Sequence, residues 1–525
     1  MTTASTIKRD PAPKLASRAA SSLTALLRAY PIVPAILIVA MVVAVRALGT
    51  VESDVAWQLW IAHQLNHGAH LYRDIIDTNP PLWFWMAVPL DWLSALVHVR
   101  SDHLLIFLIG AAAALSLVAT DRLLSSISPQ RRSLLLAYAA LVLVAMPWRD
   151  VGQRDHVSLI ATLPYAALIA ARRTKRAVPV GLAVAIGLGA GLGFALKPYF
   201  LLVPLLLEIW LLSGMRKNWR LVRLETVAMA SVGVSYAVAM LLVGRDFFSI
   251  ALPVITLAYG ATGAKHVLDL FQPAVIVALA SIILLVSKPS ILRSDPAGIG
   301  GALTVAAVSF AIAYFIQAKG WNYHAVPLLG CAVIAFAACL VAGAKPPPLM
   351  ALAAPALLFL PFTIAAQQAM REPPSARDVE RAVRGMHEGD SVGFIGTDPS
   401  LGWYVTLQRG FRFPSRHNGF WMMHAIVRNE AIGGIDPRLT ELGRRIVREA
   451  VADFKCTPPK RIIVARPTTA AARAGQFDIL AFFLRDPEFA RLLAHYRPIE
   501  RTSVEVYQLE LPLQRARDCP SWSPA

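Results

Sequence analysis

Charged residues are scarce in this chain of 525 residues: Asp, Glu, Lys and Arg make up 16% of it, and hydrophobic residues 56%. Soluble globular domains contain about 25% charged residues, so the composition argues against a soluble enzyme. The four cysteines are too few for a secreted module held together by disulfides. The net charge of +18 would suit nucleic-acid binding. The basic residues alternate with apolar segments instead of forming one stripe, so no nucleic-acid partner is expected.

The charges divide the chain near Met370. Residues 1–369 contain 28 Lys and Arg and 15 Asp and Glu, whereas residues 370–525 contain 23 and 18. The density in the second part is typical of a soluble domain, and the density in the first is typical of a helix bundle in lipid. We therefore predict a basic cytoplasmic N-terminus (1–30), a transmembrane domain (31–369) and an extracytoplasmic domain (370–525).

Eleven segments before Met370 approach the length of about 20 apolar residues that a helix needs to cross a bilayer. They are residues 31–48, 103–120, 133–147, 157–171, 178–196, 199–213, 224–243, 272–287, 298–317, 324–342 and 348–366. With the N-terminus inside, 19 of the 28 Lys and Arg residues fall on the cytoplasmic side, in agreement with the positive-inside rule. Counting segment 81–97 as a crossing would reverse this pattern, so we predict that it forms a re-entrant or juxtamembrane helix on the outer face. We expect an integral protein of a bacterial inner or plasma membrane.

Acidic residues collect on the outer side of this topology. Ten of the 15 acids of the membrane half lie there, and charge near hydrocarbon marks a candidate site because it is costly to keep. Asp54 follows the first span and begins a helical pattern. Its carboxylate could cap that helix or act as a general base at the membrane surface, and the sequence leaves both roles open.

The motifs of the first outer loop follow an order that resembles a known family. The acid after the first span is followed by a short helix, by Leu-Tyr-Arg-Asp (71–74), and by Asn-Pro-Pro-Leu-Trp (79–83) at the start of a second helix. This arrangement resembles the GT-C glycosyltransferase superfamily, especially its lipid-phosphate-sugar transferases, such as protein O-mannosyltransferases and the lipid A aminoarabinose transferase. The resemblance implies an α-helical polytopic membrane protein with two juxtamembrane helices in the first outer loop and a small C-terminal α/β extracytoplasmic domain.

The resemblance also implies an activity. Such an enzyme is an inverting hexosyl- or pentosyltransferase that moves a sugar from a polyprenyl-phosphate-linked donor to a glycan, lipid or protein acceptor. The catalytic acid of the family matches Asp54, with Glu52 as the alternative, and its second acid matches Asp150, with Asp155 close behind. The family often has a Lys before Pro-Pro that contacts the lipid phosphate, and Asn79 stands in that position here. Another residue must make that contact, or it is absent.

Other residues of the outer face could bind the donor, because a phosphate requires cations and a sugar ring packs on aromatic faces. The candidate substrate-binding residues are Tyr72, Asn79, Arg149, Arg154, His156, Lys197, Lys319, Trp321 and His324. Each of them alone also fits an anchor at the membrane interface, in contact with membrane lipids. Their concentration on one face favours a site.

The sequence identifies no cofactor with certainty. Carboxylates and histidines are plentiful enough for a divalent metal, but no spacing among them is a strong metal-binding motif. His63 and His67, one helical turn apart, could bind such an ion. A solvated helix face is the simpler explanation of that pair.

The order of strand and helix patterns in the C-terminal part predicts a small α/β domain. Expected strands are residues 390–396, 461–465 and 504–509, and expected helices are residues 439–454 and 477–496, the second with a break near Pro487. We expect this domain to shape the entrance for the acceptor. Four basic residues of it either touch anionic glycans or lipid headgroups or form a solvated face: Arg409, Arg412, Arg416 and His417.

The cysteines fall into two pairs. Cys331 and Cys339 lie inside a predicted span and are expected to be packing residues. Cys456 and Cys519 lie in the outer domain, where an oxidising compartment would permit a disulfide, and the sequence leaves its formation open.

The main alternatives to an enzyme are a transporter or flippase of lipid-linked sugars and a noncatalytic cell-envelope assembly protein. Transporters place ionisable groups near the middle of the bilayer, in broken helices that belong to internal repeats. The predicted spans here are nearly free of charge and no repeat is visible. The polar residues at the outer mouth favour an enzyme over a transporter, while a noncatalytic role stays open.

Overall fold

The computed structural model describes residues 29–49, 51–262, 267–342, 347–370, 376–398, 401–466, 477–516 and 519. Most of the predicted cytoplasmic N-terminus (1–28) and Lys345 lie outside this part of the chain. The membrane half consists of helices. They are α1 (Val33–Arg46), α2 (Ser53–Asn66), α3 (Leu82–Val97), α4 (Ser101–Leu123), α5 (Pro129–Val144), α6 (Arg154–Arg173), α7 (Val180–Ala195), α8 (Leu202–Met215), α9 (Leu224–Leu242), α10 (Leu252–Thr262), α11 (Pro273–Val286), α12 (Pro289–Ser294), α13 (Ile299–Gln317), α14 (Val326–Ala342) and α15 (Pro348–Met370).

Each of the eleven predicted spans coincides with one of these helices. Within the described residues, six helical stretches are long and apolar enough to cross a membrane: Ser101–Leu123, Pro198–Asn218, Leu224–Leu242, Ile299–Gln317, Asn322–Val341 and Pro348–Met370. Other helices at predicted spans, such as α1 and α7, are shorter than these. The fold fits a polytopic membrane protein, while eleven crossings and their orientation stay predictions.

Close packing and a buried ion network join the helices at their predicted cytoplasmic ends. Gly187 and Gly191 of α7 face α9, and a Cβ atom at Gly187 would lie 2.4 Å from the carbonyl oxygen of Glu225. Small residues permit this close approach of two helices in lipid. The buried carboxylate of Glu225 accepts hydrogen bonds from Arg172 at 3.0 Å and from Arg223 at 2.9 Å. These contacts fix α6, α7 and α9 relative to one another.

The two predicted helices of the first outer loop are present as α2 and α3, and they pack against each other. Pro89 lies inside α3 without ending it. The helical form predicted for segment 81–97 is therefore confirmed, whereas its position relative to the bilayer stays a prediction.

The C-terminal domain is α/β, as predicted. It contains α16 (Ala376–Ala382), β1 (Val392–Ile395), α17 (Trp403–Arg409), α18 (Met423–Ala431), α19 (Pro437–Cys456), β2 (Arg461–Ala465), α20 (Ile479–Phe483), α21 (Pro487–Leu493), β3 (Tyr496–Arg501) and β4 (Val504–Leu509). The strands form one sheet in the order β1-β2-β4-β3, in which β1 and β2 are parallel and the other two pairs are antiparallel. Both β1 and β2 are largely buried.

The prediction of a helix up to Tyr496 was wrong at its end. The helical stretch stops at Leu493, and Tyr496 begins β3, which forms a hairpin with β4. The hydroxyl of Tyr496 donates a hydrogen bond to the carbonyl oxygen of Pro459 at 2.9 Å. β3 is an edge strand, where Pro498 can be tolerated.

A helix of the outer region was not predicted. After Asp246, a π-helical turn (Phe247–Ala251) leads into α10, which packs against α18 of the C-terminal domain. The segment is apolar, but at 11 residues α10 is too short to be recognised as a span. It attaches the membrane half to the C-terminal domain.

The cysteines behave in two ways. Cys456 and Cys519 form a disulfide, which ties residue 519 to the end of α19. Cys331 and Cys339 are free and buried, in agreement with a packing role.

Four basic residues of the C-terminal domain were expected either to touch anionic ligands or to form a solvated face. Two of them bind carboxylates of the protein instead. Arg416 binds Asp453 through two nitrogens, with its Nη2 atom 2.7 Å from Oδ1. His417 is buried, with Nε2 lying 2.8 Å from Oε2 of Glu449. Arg416 and His417 are therefore not a solvated basic face.

Aromatic rings join the C-terminal domain to α2. The ring of Trp57 lies 4.9 Å from that of Trp403, and the ring of Trp60 lies 5.8 Å from that of Phe413. The backbone nitrogen of Ile76 also donates to a carbonyl oxygen of the C-terminal domain at 2.9 Å. The first outer loop therefore lies between the helix bundle and the C-terminal domain.

Candidate functional site

Glu52 and Asp54 lie at the N-terminus of α2. The carboxylate of Glu52 accepts a hydrogen bond from the backbone nitrogen of Asp54 at 2.8 Å and so caps the helix. The capping role considered for Asp54 is therefore filled by Glu52. Gln153, which is fully buried just before α6, hydrogen-bonds to the carboxyl of Asp54 and donates to that of Glu52 at 3.4 Å. The side chain of Asp54 is thereby held next to Gln153 and does not cap the helix.

The loop before α6 and its first turn supply Asp150, Arg154 and Asp155. The Nζ atom of Lys197, in the turn between α7 and α8, lies 2.6 Å from Oδ2 of Asp155. Both side chains are buried, with 10% and 1% of their surfaces exposed. A buried charge is tolerated when it is paired, so this ion pair keeps a cation stable next to the acids.

Arg154 differs from Lys197 because some of its N–H donors have no hydrogen-bond partner. The residue is only 3% exposed, yet its Nε and Nη1 atoms have no hydrogen-bond partner. A guanidinium carries five N–H donors, and leaving buried donors unsatisfied costs free energy. Its charge acts on the carboxyls of Asp54 and Asp77. Arg154 therefore has buried N–H donors whose hydrogen-bonding capacity is unused.

A second group of residues closes the site from the turn between α13 and α14. The Nζ atom of Lys319 lies 3.3 Å from the ring centre of Tyr259 and 6.0 Å from that of Trp321. The Nζ atom of Lys197 lies 5.2 Å from the ring centre of Tyr323. The buried ring of His324 packs against Tyr323 at 4.5 Å, and its Nδ1 atom has no partner. Cations, rings and an unpaired imidazole nitrogen thus adjoin the acids.

Burial alters the protonation of the acids at this site. Burial raises the pKa of Glu52 to about 8, and the negative charge of Asp54 adds to the rise. Burial raises the pKa of Asp150 to about 7, and the charge of Asp155 adds to it. Burial also raises the pKa of Asp54, but the positive charge of Arg154 opposes this rise. Removal of water brings the pKa of a carboxylate base toward neutral pH, and the cation limits this rise.

Four predicted site residues have hydrogen-bond partners within the fold that give them a structural role: Tyr72, Asn79, Arg149 and His156. The hydroxyl of Tyr72 donates to the carbonyl oxygen of Asn79, and the amide of Asn79 donates to Asp77 at 2.9 Å. His156 is fully buried, and its ring nitrogens lie 2.6 Å from the carbonyl oxygen of Leu143 and 3.3 Å from the nitrogen of Gly152. A separate contact is made by Arg149, whose Nη1 donates to the carbonyl oxygen of Gln368 at 3.1 Å.

Asp77 was recognised only as one of the outer acids, although it belongs to the same cluster. Its buried carboxylate accepts hydrogen bonds from Nε1 of Trp57 at 2.8 Å and from the backbone nitrogen of Asn79 at 2.7 Å. It sits two residues before Asn79, in the motif that carried the resemblance. The buried indole of Trp57 connects it to the helix of Asp54.

Three further residues of the site were missed as candidates. Gln153 and Tyr259 have no distinctive sequence pattern, and Tyr259 lies on the helix that was not predicted. Asp398 follows β1 in the C-terminal domain, and its charge acts on Asp54. The tertiary fold brings these residues to the other site residues. Their sequence pattern therefore does not identify them as part of a site.

The described residues do not favour a metal centre within this cluster. Among the residues that the structure describes, no group of three or more His, Cys, Asp and Glu side chains is arranged to hold an ion. We therefore assign no step at this site to a metal.

No family model matches the chain, and no curated protein matches it. Solved structures do. The crystal structure of ArnT from Cupriavidus metallidurans, bound to undecaprenyl phosphate, aligns with a TM-score of 0.52 and 13% identity over 93% of this chain and 98% of that one. The archaeal oligosaccharyltransferase AglB from Archaeoglobus fulgidus, in complex with an inhibitory peptide and a dolichol-phosphate, aligns with a TM-score of 0.44 and 10% identity over 94% and 75%.

The alignment with ArnT spans nearly the whole of both chains and therefore includes the helix bundle and the C-terminal domain. At 13% identity it concerns the fold alone. The chain is therefore folded like ArnT over nearly its whole length.

Proposed function

We propose that this protein is a membrane glycosyltransferase that uses a sugar linked to a polyprenyl phosphate. The observation that carries the proposal is the buried, incompletely bonded guanidinium of Arg154 next to Asp54. It supports the binding of an anion directly beside a candidate base. The ArnT-like fold supports the same class of reaction, because the ArnT structure contains undecaprenyl phosphate.

The cations would hold the phosphate of the donor. Arg154 offers unsatisfied N–H donors, and Lys197 and Lys319 add positive charge within the same cluster. Charge-assisted hydrogen bonds to phosphate are among the strongest that proteins make. These residues replace the lysine that precedes Pro-Pro in the family and is Asn79 here. The ring of Trp321, which is 39% exposed, offers an aromatic face to the sugar.

Asp54 would act on the acceptor. Its carboxylate removes the proton from the acceptor hydroxyl, whose oxygen attacks the anomeric carbon of the donor sugar. The bond between that carbon and the phosphate oxygen breaks, and the polyprenyl phosphate leaves with the bonding electrons. Arg154, Lys197 and Lys319 stabilise the charge that develops on the phosphate, since fixed donors in a dry site act strongly on such charge. A single displacement of this kind inverts the anomeric centre.

The expected topology places this reaction outside the cytoplasm. With the N-terminus inside, Asp54 and the C-terminal domain face outward, where nucleotide sugars are absent and a lipid-linked donor is required. The transferred group is a hexose or a pentose, and the acceptor is an extracytoplasmic glycan, lipid or protein. The bacterial inner or plasma membrane is the corresponding location.

The proposal can be tested in a strain that lacks the protein. The strain is complemented with the wild type, with Asp54→Asn and with Asp74→Asn, and its glycans and lipids are compared by mass spectrometry. Asp74 is a matched control because it lies in the same loop but pairs with His70 at the surface. We expect the wild type and Asp74→Asn to restore a missing sugar modification and Asp54→Asn to fail at equal protein level in the membrane.

Restoration by Asp54→Asn would contradict the proposed enzyme and would favour a flippase or an assembly role. A purified preparation separates these outcomes further. Wild-type protein in lipid nanodiscs should release polyprenyl phosphate from a polyprenyl-phosphate sugar when an acceptor is present. A flippase would leave that bond intact.

A further inference from the structure

Two histidines at the exposed end of α2 form a second polar site, separate from the cluster around Asp54. His63 and His67 are one helical turn apart, and their rings lie 4.3 Å from each other. Both are exposed at the protein surface. Residues four positions apart on a helix are neighbours on the same face, so both imidazoles point to one side of α2.

Each of these rings is held through the same nitrogen. The Nδ1 atom of His63 lies 3.3 Å from Oδ1 of Asp91 on α3. The Nδ1 atom of His67 lies 2.8 Å from the carbonyl oxygen of His63. An acceptor at Nδ1 fixes the tautomer in which Nδ1 carries the proton, and the lone pair of Nε2 is then available. Both rings therefore present an Nε2 acceptor.

The carboxylate of Asp91 is itself fixed. Its Oδ2 atom accepts a hydrogen bond from Nδ2 of Asn66 at 2.8 Å. Histidines that bind metals usually donate their other nitrogen to a carboxylate or a backbone carbonyl, and this contact orients the ring and strengthens it as a ligand. His63 has the carboxylate and His67 has the carbonyl.

We propose that His63 and His67 chelate a divalent transition-metal ion of the Zn²⁺ or Cu²⁺ class through their Nε2 atoms. Two histidines four positions apart on a helix can both bind one Zn²⁺ at about 2.0–2.1 Å, and here the two rings adjoin each other. The described residues offer no third protein ligand in reach, so water completes the coordination sphere. Imidazole selects such ions over Mg²⁺ and Ca²⁺, which prefer oxygen.

The bound ion would stiffen the junction of α2 and α3. His63 lies on α2 and its partner Asp91 on α3, so a metal that orders His63 also strengthens the contact between the two helices. The site is independent of the proposed transfer reaction, because neither histidine contacts the cluster around Asp54.

The full-length protein in detergent is titrated with Zn²⁺, and binding is followed by calorimetry and by the shift in Tm. We expect one ion per chain for the wild type. His63→Ala and His67→Ala should each weaken binding by at least about tenfold, and Asp91→Asn by about 10- to 100-fold, the range found for residues behind metal ligands. Mg²⁺ should give no shift in Tm.

His70→Ala is the matched control, since His70 is exposed and pairs with an acid, Asp74, but has no second imidazole beside it. Its Zn²⁺ binding should equal that of the wild type. The proposal is overturned if the wild type binds no Zn²⁺ at submillimolar concentration, or if the double variant His63→Ala/His67→Ala binds as the wild type does. The experiment measures metal binding, so its result does not depend on whether the protein transfers a sugar.

Discussion

Lys197 and Asp155 form a buried ion pair with 2.6 Å between Nζ and Oδ2, and this pair connects the turn after α7 to the first turn of α6. Burial lowers the pKa of Lys197 to about 8, although the charge of Asp155 opposes this. The pair thus keeps the ammonium group of Lys197 beside Arg154, and Asp155 neutralises only part of the positive charge there. It is a structural support and part of the proposed phosphate site at once.

The double role of this pair can be separated by mutation. Lys197→Met leaves the carboxylate of Asp155 buried without its partner, which should lower the free energy of unfolding by about 3–5 kcal/mol. The double variant Lys197→Met/Asp155→Leu removes both charges and should recover most of that loss. Its affinity for polyprenyl phosphate should stay low. Thermal unfolding in detergent and a binding titration measure the two effects, and full recovery of binding in the double variant would contradict the role of Lys197.

Arg154 should be important for ligand binding and not for stability. Because two of its nitrogens lack partners, Arg154→Gln removes few native hydrogen bonds. We expect the free energy of unfolding to fall by about 1 kcal/mol, the centre of the range for point substitutions. The increase in Tm that polyprenyl phosphate produces in the wild type should disappear.

The matched control is Arg73→Gln, which removes an exposed arginine that pairs with Asp246 outside the cluster. This variant should keep the increase in Tm caused by the lipid phosphate. If Arg154→Gln keeps it as well, Arg154 is not the anion-binding residue.

Some of the fold could be predicted from the sequence because its signals are local. Apolar runs and basic clusters placed the helices of all eleven predicted spans, short apolar runs placed β1 and β2, and alternation placed β4. The helix α10 was missed because it is too short to resemble a span. The strand that begins at Tyr496 was missed because no turn signal in the sequence separates it from the helical pattern before it. In both cases tertiary contacts, with α18 and with β4, decide the local structure.

The candidate site was only partly accessible for the same reason. Asp54, Arg154 and Lys197 were identified because they are charged residues at the ends of apolar segments. Tyr259 and Asp398 lie far from them in the chain and reach the site only when α10 and the C-terminal domain pack onto the bundle. His156 fitted the same rule as Arg154, but its burial and its two backbone partners could not be seen in the sequence.

The aromatic contact between α2 and the C-terminal domain should control the position of Asp54. Trp403 is 2% exposed and packs on Trp57 at 4.9 Å. Trp403→Ala should lower the free energy of unfolding by about 3–5 kcal/mol, as expected for a large buried ring, and should reduce transfer because α2 is less firmly held. Thermal unfolding and the transfer assay are the measurements. Trp92→Ala, which removes a ring that is 63% exposed, should change neither.

Glu52 gives the stability of the protein a distinctive dependence on pH. Burial raises its pKa from 4.5 to about 8 in the folded state. A carboxyl group with a raised pKa contributes stability that is fully present below its unfolded value and is lost as the pH rises through its folded value. The Tm of the wild type should therefore fall between about pH 5 and pH 8. Glu52→Gln keeps an oxygen that can cap α2 but cannot ionise, so its Tm should fall less steeply; parallel curves would contradict the assignment.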